Sequence, residues 1–158
     1  MDNLSDASLV EAFGDVSLTR NKINVEELIS KVSSSKSGAI NVFLGTTRDR
    51  FEDKVVKELE YECYEEMALL QMKEICLQVR KKWPNDVNHM VIQHKIGNCP
   101  IKEISVGIAV SAAHRVAAIE ATHYAIDALK ANVVIWKKEV YEEGDYIWKE
   151  NEIQPSLR

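Results

Sequence analysis

Basic side chains in an acidic protein are the residues of this sequence best suited to chemistry. The 158-residue chain has a net charge of -5, yet His114 and Arg115 stand where a predicted strand passes into a predicted helix. A helix N-terminus carries unpaired N–H groups and a partial positive charge, so cations are unfavourable there unless an anion docks beside them. The pair therefore predicts a phosphate or carboxylate site. The alternative is that Arg115 pairs with a surface acid and His114 is a half-buried ring without a ligand.

Three lysines near the end of that helix and in the next strand are candidates for an acid, a base or a nucleophile. Lys130 ends the helix, and Lys137 and Lys138 follow the apolar run 133–136. Apolar surroundings disfavour the charged form of an amine, which makes the amine usable for proton transfer or attack. The alternative is ordinary, because a lysine suits the negative end of a helix and lysines on an edge strand face solvent.

Composition and motifs exclude several classes of function. A net charge of -5 argues against a nucleic-acid partner, and no apolar stretch is long enough for a membrane span. The acidic N-terminus does not resemble a signal peptide, so we expect a cytosolic protein with reduced thiols. The three cysteines form no CxxC pair and the histidines have no partner at metal-ligand spacing, so no metal site is predicted.

Strands and helices alternate along the chain in an order that predicts one α+β domain over residues 16–158, after a loosely ordered leader at residues 1–15. A helix is expected after Asn24, and two long helices at residues 65–83 and 114–131, the second capped by Ser111. Strands are expected at the ranges 16–19, 38–47, 55–64, 90–96, 104–112 and 133–141. We expect the 38–47 strand to be buried, and the 90–96 and 104–112 strands to pair as a hairpin. Arg48 begins the loop after the 38–47 strand, a place where functional residues often collect.

Six segments resemble, in order and spacing, the motifs of the molybdopterin synthase large (catalytic) subunit family: FLGTTRDR, LEYECYEEMA, KKWP, HKIG, SAAHRVAAIEATHYAIDALK and VVIWKKE. The resemblance covers about residues 38–148. It implies an α+β fold of the α/β-hammerhead type with mixed or antiparallel strands and two long helices. It also implies a homodimer of large subunits within a heterotetramer, with one small ubiquitin-like sulfur-carrier subunit at each end.

The resemblance further implies the reaction and the residues that perform it. In that family the small subunit's C-terminal thiocarboxylate enters the large subunit's pocket, and sulfur passes to cyclic pyranopterin monophosphate to form the dithiolene of molybdopterin. No cofactor is expected. Lys130 matches the key catalytic lysine and Lys137 a second active-site lysine. The residues at positions that resemble the family's substrate-contacting set are Thr46, Thr47, Arg48, His114, Arg115, Lys130, Lys137, Lys138 and Glu139.

The chemistry of both reactants agrees with this resemblance. A cyclic phosphate and a thiocarboxylate are anions, so we expect four cations, Arg48, Arg115, Lys130 and Lys137, to share one cavity and stabilise developing negative charge. Two other functions stay open. The chain could be a non-catalytic module that binds the tail of a ubiquitin-like protein, or a small-ligand-binding domain whose lysines are surface features. One departure from the family is the loop Asp49-Arg50-Phe51-Glu52, where many relatives have asparagine and glycine.

Overall fold

The computed structural model describes residues 13–51, 54–141 and 146–150, which form nine strands and three helices. None of these helices has both the length and the apolar character that crossing a bilayer demands. In chain order the elements are β1 (Gly14–Thr19), α1 (Val25–Val32), β2 (Ala39–Thr46), β3 (Arg50–Phe51), β4 (Lys54–Cys63), α2 (Glu65–Lys82), β5 (Val87–Lys95), β6 (Gly97–Pro100), β7 (Ile104–Ala112), α3 (Arg115–Asn132), β8 (Ile135–Tyr141) and β9 (Tyr146–Glu150).

The N-terminal end of the described chain is packed rather than loose. Phe13 is buried and β1 begins at Gly14, whereas the predicted leader extended to residue 15; residues 1–12 of that leader lie outside the described residues. The predicted short helix is confirmed as α1. Asn24 caps it, accepting a hydrogen bond from the backbone N–H of Glu27 at 3.2 Å, as expected for asparagine at a helix N-terminus.

The first sheet has the strand order β1-β5-β7-β2. β5 and β7 are antiparallel neighbours, which confirms the predicted hairpin, while β1 pairs with β5 in parallel. The prediction that the 38–47 strand is buried is wrong, because β2 lies at the sheet edge and leaves Ile40 and Leu44 exposed. An apolar run is compatible with burial on both faces, but the order of strands in the sheet decides whether that burial occurs.

Helices cover both faces of this sheet. Val91 and Ala109 point to the face that packs on Leu28 and Val32 of α1. Met90, Ile92, Ile108 and Val110 belong to the larger core cluster together with α2 and α3. Side chains on a strand alternate between faces, so each central strand supplies both cores.

The second sheet carries the residues that matter most for chemistry. Its strand order is β3-β4-β8-β9, with β6 also paired to β4. β4 and β8 are antiparallel, and their register sets Tyr61 opposite Lys137 and Leu59 opposite Glu139. The predicted α+β class, with mixed strands and two long helices, is confirmed.

Candidate active site

A cavity of about 210 Å³ opens where the C-terminal half of α3 meets both sheets. Five of the predicted site residues line it, and they come from β2 and the loop after it, from α3 and from β8. The lining residues are Phe43, Gly45, Thr46, Arg48, Arg50, Val56, Leu59, Tyr61, His94, Ser105, Val106, Ile126, Leu129, Lys130, Lys137 and Glu139.

Alternation along β8 decides which of its charged residues face the cavity. Lys137 and Glu139 share one face of the strand and line the cavity. Lys138 lies on the other face, where its Nζ is 3.7 Å from Glu60 Oε2 and 5.7 Å from the centre of the Trp148 ring. The structure therefore separates Lys138 from the predicted site residues Lys137 and Glu139.

Glu139 places a carboxylate inside this cationic cavity. Its side chain is only 3% exposed, and Oε2 accepts a hydrogen bond from the Tyr141 hydroxyl at 2.6 Å. A buried carboxylate is tolerated where hydrogen bonds and nearby cations replace water. Glu139 can accordingly orient a neighbouring amine or take up a proton during a reaction.

Thr47 is a support for the site and does not line the cavity. It is 3% exposed, and its hydroxyl donates to Cys99 Sγ at 3.4 Å. Its backbone N–H donates to the Glu103 carbonyl, and its own carbonyl accepts from the N–H of Lys102. These bonds fix the backbone immediately before Arg48, so Thr47 acts through the position of the arginine.

His114 and Arg115 lie at the opposite end of α3 from Lys130. His114 is the N-cap without a side-chain cap bond, and both residues are exposed. An α-helix rises 1.5 Å per residue, so the 15 residues from Arg115 to Lys130 span about 22 Å. Three of the four expected cations therefore share the cavity, and the expectation that Arg115 joins them is wrong within one chain. Ser111 does not cap the helix; its hydroxyl bonds to the backbone of His89.

Four polar residues of the cavity were not among the predicted site residues: Arg50, Tyr61, His94 and Ser105. Arg50 carried a detectable signal, a second arginine two positions after Arg48 in the same loop. Tyr61 and His94 each stand in an alternating apolar series on their strands, where a polar side chain at a core position is the signal.

Burial shifts the pKa values of two of these groups away from pH 7, and both are uncharged there. It raises the pKa of Tyr61 to about 12, although a hydrogen bond with Ser105 acts in the opposite direction. It lowers the pKa of His94 to about 4; the hydrogen bond to the Lys95 carbonyl opposes this effect and the charge of Lys130 adds to it. The cavity wall thus combines four cationic side chains, those of Arg48, Arg50, Lys130 and Lys137, with neutral hydrogen-bonding rings.

This arrangement suits the binding and transfer of anionic groups. Arg48, Lys130 and Lys137 supply positive charge in a partly enclosed space, where electrostatic stabilisation of a transition state is larger than in water. Lysine amines can also exchange protons or attack an acyl carbon. Within residues 13–51, 54–141 and 146–150, no group of three or more His, Cys, Asp or Glu side chains is arranged to hold a metal ion.

Comparison with known proteins points to the same chemistry. The MoaE protein family matches residues 18–132. The chain is 51% identical over 136 residues to molybdopterin synthase catalytic subunit 2 of Aedes aegypti, covering 85% of this chain and 87% of that protein. It is 49% identical over 136 residues to the Homo sapiens molybdopterin synthase catalytic subunit, with coverage of 86% and 71%.

Solved structures share the fold. Molybdopterin synthase from Staphylococcus aureus superposes with a TM-score of 0.79 at 35% identity, covering 84% of this chain and 94% of that one. A complex of subunits 1 and 2 of molybdopterin-converting factor from Helicobacter pylori gives a TM-score of 0.71 at 19% identity, covering 89% and 93%. The family match, the identities near one half and the shared fold agree, and the chain therefore belongs to the MoaE family of molybdopterin synthase catalytic subunits.

Proposed function

We propose that this chain catalyses sulfur transfer from the C-terminal thiocarboxylate of a small ubiquitin-like carrier subunit to cyclic pyranopterin monophosphate, which yields the dithiolene of molybdopterin. Lys130 and Lys137 are the catalytic residues, and Arg48 and Thr46 contact substrate. We propose that the reaction takes place in the cytosol, where free thiols such as those of Cys76 and Cys99 stay reduced.

The observation that carries this proposal is the meeting of Arg48, Lys130 and Lys137 in one cavity, although they come from a loop, a helix and a strand. A thiocarboxylate and a phosphate are both negative, so the same three cations attract the donor and the acceptor. Cations already in place around the reacting atoms also stabilise negative charge that develops on the acyl oxygen or sulfur.

We propose that a second copy of the chain completes the site with His114 and Arg115. Both residues are exposed at the far end of α3, so a role in substrate binding requires a partner cavity. Val116 and Ile119, which are 58% and 53% exposed, give the same end of the helix an apolar surface suited to a protein contact. A homodimer that carries one small subunit at each end satisfies both features.

The proposed activity is tested by mixing the purified protein with thiocarboxylated carrier and cyclic pyranopterin monophosphate and measuring the dithiolene product. Lys130→Ala should lower the rate by roughly hundredfold or more while carrier binding changes little. Lys57→Ala, an exposed lysine on β4, is the matched control and should behave as wild type. Wild-type protein that binds the carrier but forms no dithiolene would favour the non-catalytic module that only binds the carrier tail. Product formation that survives Lys130→Ala would show that Lys130 is not the catalytic lysine.

Mixed dimers test the contribution of the second copy. Lys130→Ala and Arg115→Ala homodimers should each be nearly inactive. After the two variants are unfolded and refolded together, a shared site predicts that about one quarter of wild-type activity returns, because half of the dimers are mixed and each has one intact site. If Arg115 instead serves its own chain, the mixture stays inactive.

A further inference from the structure

His94 occupies the position where the apolar core becomes the cavity wall. On β5 it follows Met90 and Ile92 along one face of the strand, both of which pack in the core beneath α2 and α3. His94 is only 2% exposed, yet it lines the cavity that also holds Lys130. A buried polar ring next to a catalytic group needs a hydrogen-bond partner for each of its nitrogens.

The backbone determines which ring nitrogen carries the proton. Nδ1 lies 2.7 Å from the carbonyl oxygen of Lys95. A carbonyl oxygen only accepts hydrogen bonds, so Nδ1 must donate, and the neutral ring then has an unprotonated Nε2 with a free lone pair. His94 and Lys130 line the same cavity. Burial, and to a smaller extent the positive charge of Lys130, lower the pKa of His94 and keep the ring neutral near pH 7.

Tyr61 and Ser105 hold the orientation of the His94 ring. The Tyr61 ring meets it edge to face, with ring centres 5.0 Å apart and planes at 76°. Tyr61 is hydrogen-bonded to Ser105, whose hydroxyl donates to the Gly45 carbonyl at 3.2 Å. The ring is therefore restrained by a backbone carbonyl on one edge and by an aromatic contact on another.

We propose that His94 is a positioning residue for Lys130, and that its unprotonated Nε2 accepts a hydrogen bond from the Lys130 amine and aims that amine into the cavity. This inference rests on the proposed function for its catalytic meaning. The other charged or titratable groups that line the cavity around the pair are Arg48 and Arg50 after β2, Tyr61 on β4, and Lys137 and Glu139 on β8. A neutral acceptor directs the lysine and leaves its positive charge in place. A carboxylate at the same position would cancel that charge.

Nitrogen NMR of the free protein tests the geometry without any substrate. Long-range correlations of 15N-labelled histidine should show the His94 proton on Nδ1 between pH 6 and pH 8. The Nε2 shift should move in Lys130→Ala and stay in place in Lys73→Ala, an exposed lysine on α2. A proton on Nε2, or an Nε2 shift that ignores the loss of Lys130, would overturn the inference.

Side-chain variants test the effect on turnover. Glutamine places an acceptor near the position of Nε2, whereas asparagine preserves only a donor near Nδ1. His94→Gln should therefore keep most of the activity, while His94→Asn should lower kcat by roughly ten- to hundredfold with little change in KM. Equal losses in both variants, or losses that follow the thermal unfolding temperature, would show a purely structural ring and refute the inference.

The two arms separate this inference from the proposed function. If wild-type protein makes no dithiolene while the NMR signature of a Lys130-linked Nε2 holds, the proposed reaction is wrong and the positioning geometry stands. If wild-type protein is active but His94→Asn matches His94→Gln, the reaction stands and the role of His94 is wrong.

Discussion

Mild acid should destabilise this protein through His94. The ring is 2% exposed and burial lowers its pKa to about 4, while an unfolded chain has the ordinary histidine value of about 6.5. The unfolded state therefore binds a proton more readily than the folded state. The neutral, buried His94 ring therefore stabilises the folded state fully at pH values above the unfolded pKa. This contribution is lost as the pH falls from about 6.5 towards 4.

The size of the effect follows from the two pKa values. Proton linkage with those values predicts a loss of about 2 kcal/mol in the free energy of unfolding between pH 7 and pH 5. With an ordinary urea dependence for a small protein, this loss shifts the unfolding midpoint by about 1 M. The folded ring cannot relieve the loss by moving into water, because Tyr61 and the Lys95 carbonyl restrain it.

Urea unfolding followed by circular dichroism at pH 7 and pH 5 measures this difference. Each variant is compared with itself at the two pH values, so a general loss of stability cancels. His94→Gln should remove about 2 kcal/mol of the pH dependence. His123→Gln, at an exposed histidine beside Asp127, should retain it. Equal pH dependence in wild type and His94→Gln would refute the linkage to His94.

Three further predictions concern the charged groups of the cavity. Lys137 and Lys138 face opposite sides of β8, and only Lys137 lines the cavity. Lys137→Ala should therefore slow dithiolene formation by roughly hundredfold, and Lys138→Ala by less than about tenfold. Equal losses would contradict the strand geometry. Arg50→Ala should raise KM for the pyranopterin phosphate by roughly several-fold and leave kcat nearly unchanged, and the salt dependence of KM should weaken. An unchanged KM would show that Arg50 does not contact the substrate. Tyr141→Phe removes the hydroxyl that donates a hydrogen bond to the buried Glu139 carboxylate. The free energy of unfolding, measured with urea or heat, should fall by about 1–3 kcal/mol. No loss would mean that other groups satisfy that carboxylate oxygen.

Local signals in the sequence located the elements well. The Asn24 cap, the stripe of the second helix and the paired strands β5 and β7 each depend on residues close together in the chain, and each is present. Strand order is a different matter. Nothing local distinguishes the edge strand β2 from a central strand, and nothing local predicts that β1 pairs with β5 in parallel.

The same distinction applies to the site. Residue type made Arg48, Lys130 and Lys137 candidates, but each had an ordinary alternative, and the resemblance to the family supplied their roles. Strand geometry and helix length decide which candidates reach the cavity. Lys138 is one residue from Lys137 along β8 and so faces the other side of the strand, and the length of α3 separates Arg115 from Lys130. His94 has no partner at metal-ligand spacing and belongs to the HKIG segment of the resemblance, but nothing local in the sequence shows that α3 brings Lys130 to the same cavity.

The cavity is assembled from segments that are distant along the chain, and this has a consequence during synthesis. Its walls run from Phe43 on β2 to Glu139 on β8, and β8 must pair with β4 before the last amine and carboxylate arrive. A nascent chain that has not yet released residue 139 from the ribosome therefore offers no finished pocket to a carrier tail. On the proposed function, capture of the carrier tail therefore waits until translation of the domain is nearly complete.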